Sequence, residues 1–347
     1  MTDTPADAVQ VTGLRKSFHL KGGVTVAALT GIDLTVAEGE IFGLLGPNGA
    51  GKTTTLRILT TLMPADAGEA RVAGADVRRD PALVRRRIGY VGQLGGADVE
   101  ATGRENLLLA GRLYGLSVAA AHDRCEELLA VFGLGELADR MVRTYSGGQR
   151  RRLEVALGIM HRPRVLFLDE PTTGLDPQNR ANLWDQLREL RETGTTVFLT
   201  THYLDEADQL SDRVAIVDHG RVIALGTPDE LKRQYSGDTI SLTPDAPPAD
   251  LGAVATELAQ APYVARAAAE NGAIRLTVTD TTRAMAAVFG VLAARGVPTR
   301  AASVARPSLD DVFLLETGRS LRDTGAAPAP APVGDATATE PKAEVAV

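Results

Sequence analysis

The sequence predicts an α/β protein with a parallel sheet at its centre, followed by a smaller α+β unit. Strand Ile41–Leu45, a glycine-rich turn and a helix with leucines three apart up to Leu62 follow one another without a gap. A second apolar run, Val165–Leu168, ends in two carboxylates, which is typical of a buried parallel strand. After Tyr235 the pattern changes to short strands and helices without a cluster of reactive side chains.

The turn between the first strand and its helix matches the phosphate-binding pattern G-x-x-x-x-G-K-[ST] without a mismatch. It consists of Gly46, Pro47, Asn48, Gly49, Ala50, Gly51, Lys52, Thr53 and Thr54. Its glycines let successive N–H groups point inward, and the helix N-terminus adds a positive dipole end. We expect Lys52 to reach the β- and γ-phosphates and the Thr53 hydroxyl to bind Mg²⁺. The loop therefore predicts binding of a nucleoside triphosphate.

Polar side chains follow the predicted strands at their carboxyl ends, where ligands gather in open α/β sheets. Asp169 is placed for Mg²⁺, and Glu170 is placed to polarise a water molecule against the γ-phosphate. His202, after strand Thr196–Thr201, is placed to contact the γ-phosphate, although a lone histidine is more often structural. Gln93 could bind Mg²⁺ or the attacking water, but an isolated amide carries little weight.

Two further positions are candidates for contact with the nucleotide. A helix that begins with Ser146, Gly147, Gly148 and Gln149 leaves first-turn N–H groups bare, which favours an anion site. A flexible glycine joint is the alternative, but it would not need the flanking serine and glutamine. Phe18, before a loop, could stack on a base, while an isolated phenylalanine is more often part of a core.

Composition narrows the class of protein. The chain has 347 residues, a formal net charge of −7 and a pI near 5.4, which argues against a general nucleic-acid binder. Its single cysteine, Cys125, excludes an internal disulfide and fits a helix core better than a nucleophile. No apolar run approaches the ~18–20 residues of a membrane helix, and the first residues do not resemble a signal peptide. We expect another chain to span the membrane if this one works there.

The remaining predicted strands and helices indicate where the domains of the chain begin and end. Strands Val9–Phe18 and Leu29–Val36 predict a small antiparallel sheet, and residues 102–160 predict a helical region that starts at a capping box. We expect a disordered N-terminus at 1–8, a first domain at 9–235, an accessory α+β domain at 236–320 and a disordered Ala/Pro-rich tail at 321–347. The accessory domain is predicted to run strand–helix–strand–strand–helix–strand.

These motifs together resemble an ATP-binding cassette (ABC) subunit over residues 9–235. The resemblance implies a P-loop NTPase with a RecA-like core, an antiparallel β-subdomain and a helical signature subdomain. It identifies Gln93 with the Q-loop, Ser146–Gln149 with the signature, Asp169 and Glu170 with the metal-site aspartate and catalytic glutamate, Asp176 with the D-loop and His202 with the switch histidine. The implied cofactors are ATP and Mg²⁺.

Finer features are similar to exporter ATPases of the daunorubicin/doxorubicin resistance type. They are the stretches 102–106, 203–208, 212–220 and 306–313 and the accessory domain. The resemblance implies a self-dimer that closes head to tail on ATP, at the cytoplasmic face of the membrane. It also implies separately encoded integral membrane permease subunits that pass a small-molecule substrate, with no nucleic acid partner. The alternative is a soluble ABC ATPase acting on the ribosome or nucleic acid, but such proteins usually carry two cassettes or a long coiled coil. A catalytically dead cassette would have lost Lys52, Glu170 or His202, and all three are present.

Overall fold

The computed structural model describes residues 7–19, 23–235, 237–244, 248–270, 272–305, 308–318 and 320–321. The predicted tail therefore lies outside the described residues except for Leu321, which is buried. No helix in the described parts of the chain combines the length and apolar character that crossing a membrane requires.

The first part of the chain alternates strands and helices. Its strands are β1 (Asp7–His19), β2 (Thr25–Ala37), β3 (Ile41–Leu45), β4 (Ala67–Val72), β5 (Ala75–Asp76), β6 (Ile88–Val91), β7 (Val165–Asp169), β8 (Thr196–Thr201), β9 (Arg213–Asp218) and β10 (Arg221–Gly226). Its helices are α1 (Lys52–Leu59), α2 (Pro81–Arg87), α3 (Gly103–Leu113), α4 (Val118–Val131), α5 (Gly147–Gly158), α6 (Pro177–Glu192), α7 (Leu204–Leu210) and α8 (Pro228–Tyr235).

The central sheet has the strand order β10-β9-β3-β8-β7-β6. Strand β3 pairs in parallel with β8 and β9, and β7 pairs in parallel with β8 and β6. Every residue of β3, β7 and β8 is buried, which explains the apolar runs at the centres of these strands. Because parallel strands end at one edge, the predicted phosphate loop and the residues after β7 and β8 meet there.

A second, antiparallel sheet has the order β2-β1-β4-β5 and packs beside the central one. Its buried residues, among them Val9 and Ile32, share one core with Phe42 of β3 and Leu56 of α1. Strand β1 begins at Asp7, and Ala8 is buried. The predicted disordered N-terminus is therefore wrong for Asp7 and Ala8, because Ala8 is anchored by this core, and residues 1–6 lie outside the described residues.

Helices α3, α4 and α5 form the predicted helical region. The predicted capping box at its start is present: the Thr102 hydroxyl accepts from Glu105 N–H, and the Glu105 carboxylate accepts from Thr102 N–H. Cys125 on α4 is fully buried, and burial raises the pKa of its thiol to about 11. It is therefore a core residue and not a thiolate nucleophile.

The C-terminal part contains β11 (Asp238–Pro244), α9 (Pro248–Leu258), β12 (Val264–Glu270), β13 (Ala273–Val278), α10 (Thr281–Ala294), β14 (Thr299–Ala305) and α11 (Leu309–Thr317). Its antiparallel sheet has the order β12-β13-β11-β14, and the element sequence up to β14 is the one predicted. Helix α11 differs: Val312 and Phe313 pack in a cluster with Leu45 and Ile216 of the central sheet. The range predicted as an accessory domain thus ends in a helix that packs on the first part of the chain.

Besides α11, two helices of the first part of the chain have no counterpart in the sequence prediction. The run Arg85–Arg87 is the last turn of α2, although periodicity indicated only strands in this region. Helix α7 follows His202 and has only 7 residues. It therefore has too few apolar positions to show a helical period in the sequence.

Candidate active site

The loop between β3 and α1 has the backbone that its glycines require. Gly51 has φ 104°, and a Cβ there would lie 2.7 Å from the Ala28 carbonyl oxygen of the antiparallel sheet. At Gly46 a Cβ would lie 2.3 Å from the Val217 carbonyl oxygen. The two glycines therefore allow both neighbouring sheets to approach the loop, which a side chain at either position would prevent.

Lys52 lies inside this loop and is buried. Its Nζ donates to the carbonyl oxygens of Gly46 at 2.8 Å and Pro47 at 3.1 Å, and it lies 3.5 Å from Glu170 Oε1. Burial lowers the pKa of the Lys52 ammonium despite the attraction of Glu170. The ammonium is thus held as a desolvated charge between the loop's carbonyl oxygens and Glu170.

Asp169, at the end of β7, is buried with two hydroxyls around it. Thr200 Oγ1 donates to Asp169 Oδ1 at 2.6 Å, and Thr53 Oγ1 donates to the same oxygen at 3.2 Å. A hydroxyl and a carboxylate in contact suit Mg²⁺, which keeps several waters and is completed by substrate phosphates. Within the described residues there is no group of three or more acidic, histidine or cysteine side chains for a metal, so an ion here would need those other ligands.

Glu170 is held in an uncommon backbone conformation with φ 47°. Its N–H donates to the Thr200 carbonyl oxygen at 3.1 Å and to Thr200 Oγ1 at 3.1 Å, so β8 fixes its position. Burial alone would raise the pKa of the Glu170 carboxyl, but His202 and Lys52 together outweigh burial and lower it. The side chain is therefore an ionised carboxylate at neutral pH.

His202 joins this cluster directly after β8. Its Nδ1 lies 3.2 Å from Glu170 Oε1, although the two groups lack the alignment of a hydrogen bond. Its ring packs against Tyr203, with ring centroids 4.1 Å apart. The structure therefore brings together Lys52, Glu170 and His202, with Asp169 and Thr53 beside them.

The residues Ser146–Gln149 form a second group at the start of α5. Ser146 Oγ accepts from Gln149 N–H at 3.3 Å, and Gln149 Oε1 accepts from Ser146 N–H at 2.9 Å. The expectation that all first-turn N–H groups are bare is wrong for Gln149, because this capping box uses both its N–H and its side chain. The Ser146 hydroxyl and the N–H groups of Gly147 and Gly148 remain at the helix end.

Asp176 lies next to this second group. Its carboxylate caps α6 by accepting from Asn179 N–H at 2.9 Å and from Asn179 Nδ2 at 2.6 Å. A Cβ on Gly148 would lie 2.5 Å from Asn179. In the parts of the chain that the structure describes, no hydrogen bond or ion pair connects Ser146–Gln149 or Asp176 to Lys52 or Glu170.

Two other predicted residues also lie apart from the cluster. Gln93 is exposed in a turn after β6, and no hydrogen bond of its side chain occurs among the described residues. Phe18 is half-buried on β1, with Lys16 Nζ 5.9 Å from its ring centroid. Among the described residues, no hydrogen bond or ion pair connects either side chain to Lys52 or Glu170.

Sequence reasoning missed Arg151, which connects the two groups. Its guanidinium donates to the carbonyl oxygens of Gly92 at 2.8 Å, Pro171 at 2.8 Å and Asp169 at 3.2 Å, and it pairs with Glu154 at 3.1 Å. The available signal was the tripeptide Arg150-Arg151-Arg152, whose central residue falls on the buried face of α5. Thr200, whose hydroxyl holds Asp169, was missed because it reads as an ordinary strand threonine.

Glu206 is a second buried acid near the cluster. It lies on α7, four residues after His202, is fully buried, and accepts from Trp184 Nε1 of α6 at 3.1 Å. Burial raises the pKa of its carboxyl. The Trp184–Glu206 bond therefore connects the helix after Asp176 to the helix after His202.

A groove of about 790 Å³ lies beside Gln93. Its floor includes Asp169 and Glu154, and its walls come from the end of β6, from α3 and from the exposed turn 92–96. Four large hydrophobic side chains are exposed along it: Leu94, Leu109, Leu113 and Tyr114. An open apolar groove of this size is typical of a docking site.

Comparison with known proteins identifies the family. A model described as ABC transporter matches residues 29–173, and one described as ATP-binding protein DrrA1-3-like, C-terminal domain, matches residues 226–317. The chain is 44% identical over 323 residues to the daunorubicin/doxorubicin resistance ATP-binding protein DrrA of Streptomyces peucetius, covering 93% of this chain and 96% of that one. The chain belongs to the ATP-binding subunits of ABC transporters.

Other relatives agree with this membership. The Nod factor export ATP-binding protein I of Ralstonia nicotianae is 40% identical, over 91% of this chain and 95% of its own length. A dimeric ATP-binding cassette solved in a post-hydrolysis state with ADP and Pi is 26% identical, with a TM-score of 0.58 over 63% of this chain and 98% of that one. The predicted fold class is confirmed, and this ABC subunit is an ATP-binding ATPase of the export type.

Proposed function

We propose that this ABC subunit hydrolyses ATP with a site shared between two copies and so drives export of a hydrophobic drug or antibiotic. The observation that carries the proposal is the separation of two groups on one chain. Lys52, Glu170 and His202 meet within 3.5 Å, whereas the donors at Ser146 form a distinct group at another helix end. Each group by itself is half of a site for a triphosphate.

In this proposal Lys52 and the loop N–H groups hold the β- and γ-phosphates. Thr53 and Asp169 would hold Mg²⁺, which when bound neutralises charge that develops on the phosphates. Glu170, ionised and fixed by Thr200, orients the attacking water and accepts its proton. His202 contacts the γ-phosphate from the side of Glu170.

The second group completes the site in a head-to-tail dimer. The Ser146 hydroxyl and the N–H groups of Gly147 and Gly148 provide donors at a helix N-terminus, which suit the outer face of a γ-phosphate. A two-fold axis would place these donors of one copy over Lys52 of the other. Closure of the dimer on ATP and its opening after hydrolysis then supply the mechanical stroke.

The groove beside Gln93 is the proposed docking site for a separately encoded permease at the cytoplasmic face of the membrane. Exposed Leu94, Leu109 and Leu113 suit the apolar face of a permease helix. Asp169 lines the groove and directly precedes Glu170 in the chain. A permease docked in the groove would therefore lie next to the proposed catalytic carboxylate. The proposed cargo class rests on the relatives, whose names refer to daunorubicin, doxorubicin and linearmycin resistance.

Mixing two inactive variants tests the shared site. Lys52→Ala keeps its signature but loses its phosphate loop, and Ser146→Arg keeps its loop but blocks its signature. A mixed dimer then has one intact site and one doubly broken site, so an equal mixture should recover about a quarter of wild-type ATPase activity. Activity should rise more steeply than protein concentration.

The control is a mixture of Lys52→Ala with the double variant Lys52→Ala/Ser146→Arg, which contains no intact site in any pairing. This mixture should stay inactive at every ratio. Absence of recovery in the test mixture, with wild-type activity strictly proportional to concentration, would show that a single chain is the catalytic unit.

A further inference from the structure

An exposed arginine-rich surface lies outside the nucleotide site. We define the arginine surface as Arg78, Arg79, Arg85 and Arg86, all exposed, together with Leu62, whose side chain is 58% exposed. The arginines lie just before α2 and in its last turn, and Leu62 follows the end of α1. A large apolar side chain among four cationic ones has the character of a surface that meets a membrane interface.

Several arginines elsewhere in the chain pair with carboxylates, whereas the four of the arginine surface do not within the described residues. Elsewhere Arg104 contacts both Glu126 and Asp139, and Arg295 contacts Glu257. Among the described residues, none of the four guanidiniums of the arginine surface forms an ion pair with a carboxylate. The segment 67–87 carries six arginines and three carboxylates, a formal charge of +3 in a chain of −7.

One of those three carboxylates is already engaged with the backbone. Asp76 Oδ1 accepts the N–H groups of Arg79 and Arg78, each at 2.9 Å, and these bonds lower the pKa of its carboxyl. It therefore shapes the turn that presents the two arginines instead of pairing with their guanidinium groups. The positive charge of the arginine surface stays available to an external anion.

Two of the four arginines are held in place by hydrogen bonds. Arg85 Nη1 donates to Thr61 Oγ1 at 3.0 Å, and Arg78 Nη2 donates to the Ala65 carbonyl oxygen at 3.2 Å, so the two arginines flank Leu62. Leu62 N–H donates to the Arg57 carbonyl oxygen at 2.8 Å, which closes the end of α1. These bonds reduce the conformational entropy that Arg78 and Arg85 would lose when the surface meets a partner.

The position of the surface indicates the partner. Helix α2 leads directly into β6, the edge strand of the central sheet, and β6 ends at the groove proposed for the permease. Arg57, whose carbonyl oxygen holds Leu62, also lines that groove. If the permease docks there, as the proposed function requires, the same edge of the sheet faces the membrane.

We propose that the arginine surface binds the headgroups of anionic phospholipids beside the permease. Guanidinium groups bind phosphate well because their donors are planar and weakly hydrated. Each arginine within a Debye length of an anionic surface should raise partitioning about fivefold. Leu62 inserts at the headgroup boundary and adds an apolar contribution that salt does not screen.

The test is sedimentation of the full chain with vesicles, without nucleotide. Vesicles of phosphatidylcholine with about 30% phosphatidylglycerol are compared with phosphatidylcholine alone, over a salt series. We expect binding to the anionic vesicles that weakens with salt and none to the neutral ones. Arg79→Gln/Arg86→Gln should reduce partitioning about 25-fold, since neither side chain supports the fold by a described bond.

Controls separate this proposal from others. Arg266→Gln/Arg275→Gln removes the same charge from exposed positions of the C-terminal sheet and should leave partitioning unchanged. ATPase activity in solution should be wild-type in both double variants, so a failure of the catalytic proposal would appear there and not in the vesicle assay. Equal loss in the two double variants, no binding to anionic vesicles, or equally tight binding to RNA would overturn the lipid proposal.

Discussion

Replacing Arg151 by methionine should destabilise the protein more than any surface change, and the structure gives the size of the effect. Methionine keeps most of the length and apolar stem but removes the charge and every donor. Arg151 and Glu154 are 7% and 8% exposed, so the change leaves a buried carboxylate without its partner. It also removes the guanidinium donor from the carbonyl oxygens of Gly92, Pro171 and Asp169.

Breaking a buried ion pair by removing one partner costs ~3–5 kcal/mol, and we expect a loss in this range in the free energy of unfolding. The double variant Arg151→Met/Glu154→Gln should recover ~1–3 kcal/mol, because the unpaired charge is then gone while the guanidinium's hydrogen bonds to the carbonyl oxygens are still lost. Urea unfolding of the wild type, both single variants and the double variant gives the coupling free energy.

A local measurement distinguishes positioning from general stability. Hydrogen exchange should accelerate at residues 92–96 and 170–174 before other regions, since the guanidinium connects these two turns. Arg188→Met is the matched control, because that arginine is half-buried and pairs only with the exposed Asp185 among carboxylates. A cost below ~1 kcal/mol for Arg151→Met, or uniform acceleration of exchange, would refute the role assigned to Arg151.

Three further predictions concern the site. Glu170→Gln should retain ATP binding, lose turnover ~10²–10⁴-fold and accumulate as an ATP-bound dimer on size-exclusion chromatography; near-normal turnover would remove Glu170 from catalysis. Lys52→Ala should abolish ATP binding in isothermal titration, while Lys232→Ala, which removes a surface charge, should not; unchanged affinity of the first would contradict the phosphate-loop assignment. Glu206 has a raised pKa in the folded chain, so wild-type stability falls as pH rises from 4.5, the value of the unfolded carboxyl, through the folded pKa. Glu206→Gln should therefore gain stability over the wild type at pH ~8 and lose that advantage near pH ~4.5, as measured by urea midpoints; a difference independent of pH would contradict this account.

The sequence predicted correctly those features that depend on one continuous segment of the chain. The loop Gly46–Thr54 and the carboxyl ends of β7 and β8 could be placed because glycine spacing and apolar runs determine them directly. The contact of Lys52 with Glu170 and His202 then followed from parallel strands sharing an edge. Sequence reasoning also gave the order strand–helix–strand–strand–helix–strand that the C-terminal part follows up to β14.

What the sequence could not show depends on contacts between distant segments. Arg151 belongs to a run of three arginines, and only the packing of α5 against β7 selects one of them for burial. The capping box that occupies Gln149 was read as part of an anion site, because both interpretations use the same serine and glutamine. Helix α11 carries the pattern of any short amphipathic helix, which does not specify the sheet it packs on.

The return of α11 to the central sheet affects how the C-terminal part can be removed. Leu309, Val312 and Phe313 cover Leu45 at the base of the phosphate loop, so a chain cut after Tyr235 would expose that strand to water. The sheet β11–β14 is in effect an insertion held at both ends, by α8 before it and by α11 after it. A deletion that spares the cassette must therefore be internal, joining α8 to α11 across the missing sheet. In a simple truncation after Tyr235, the loss of stability caused by removing α11 would be mistaken for an effect of removing the sheet.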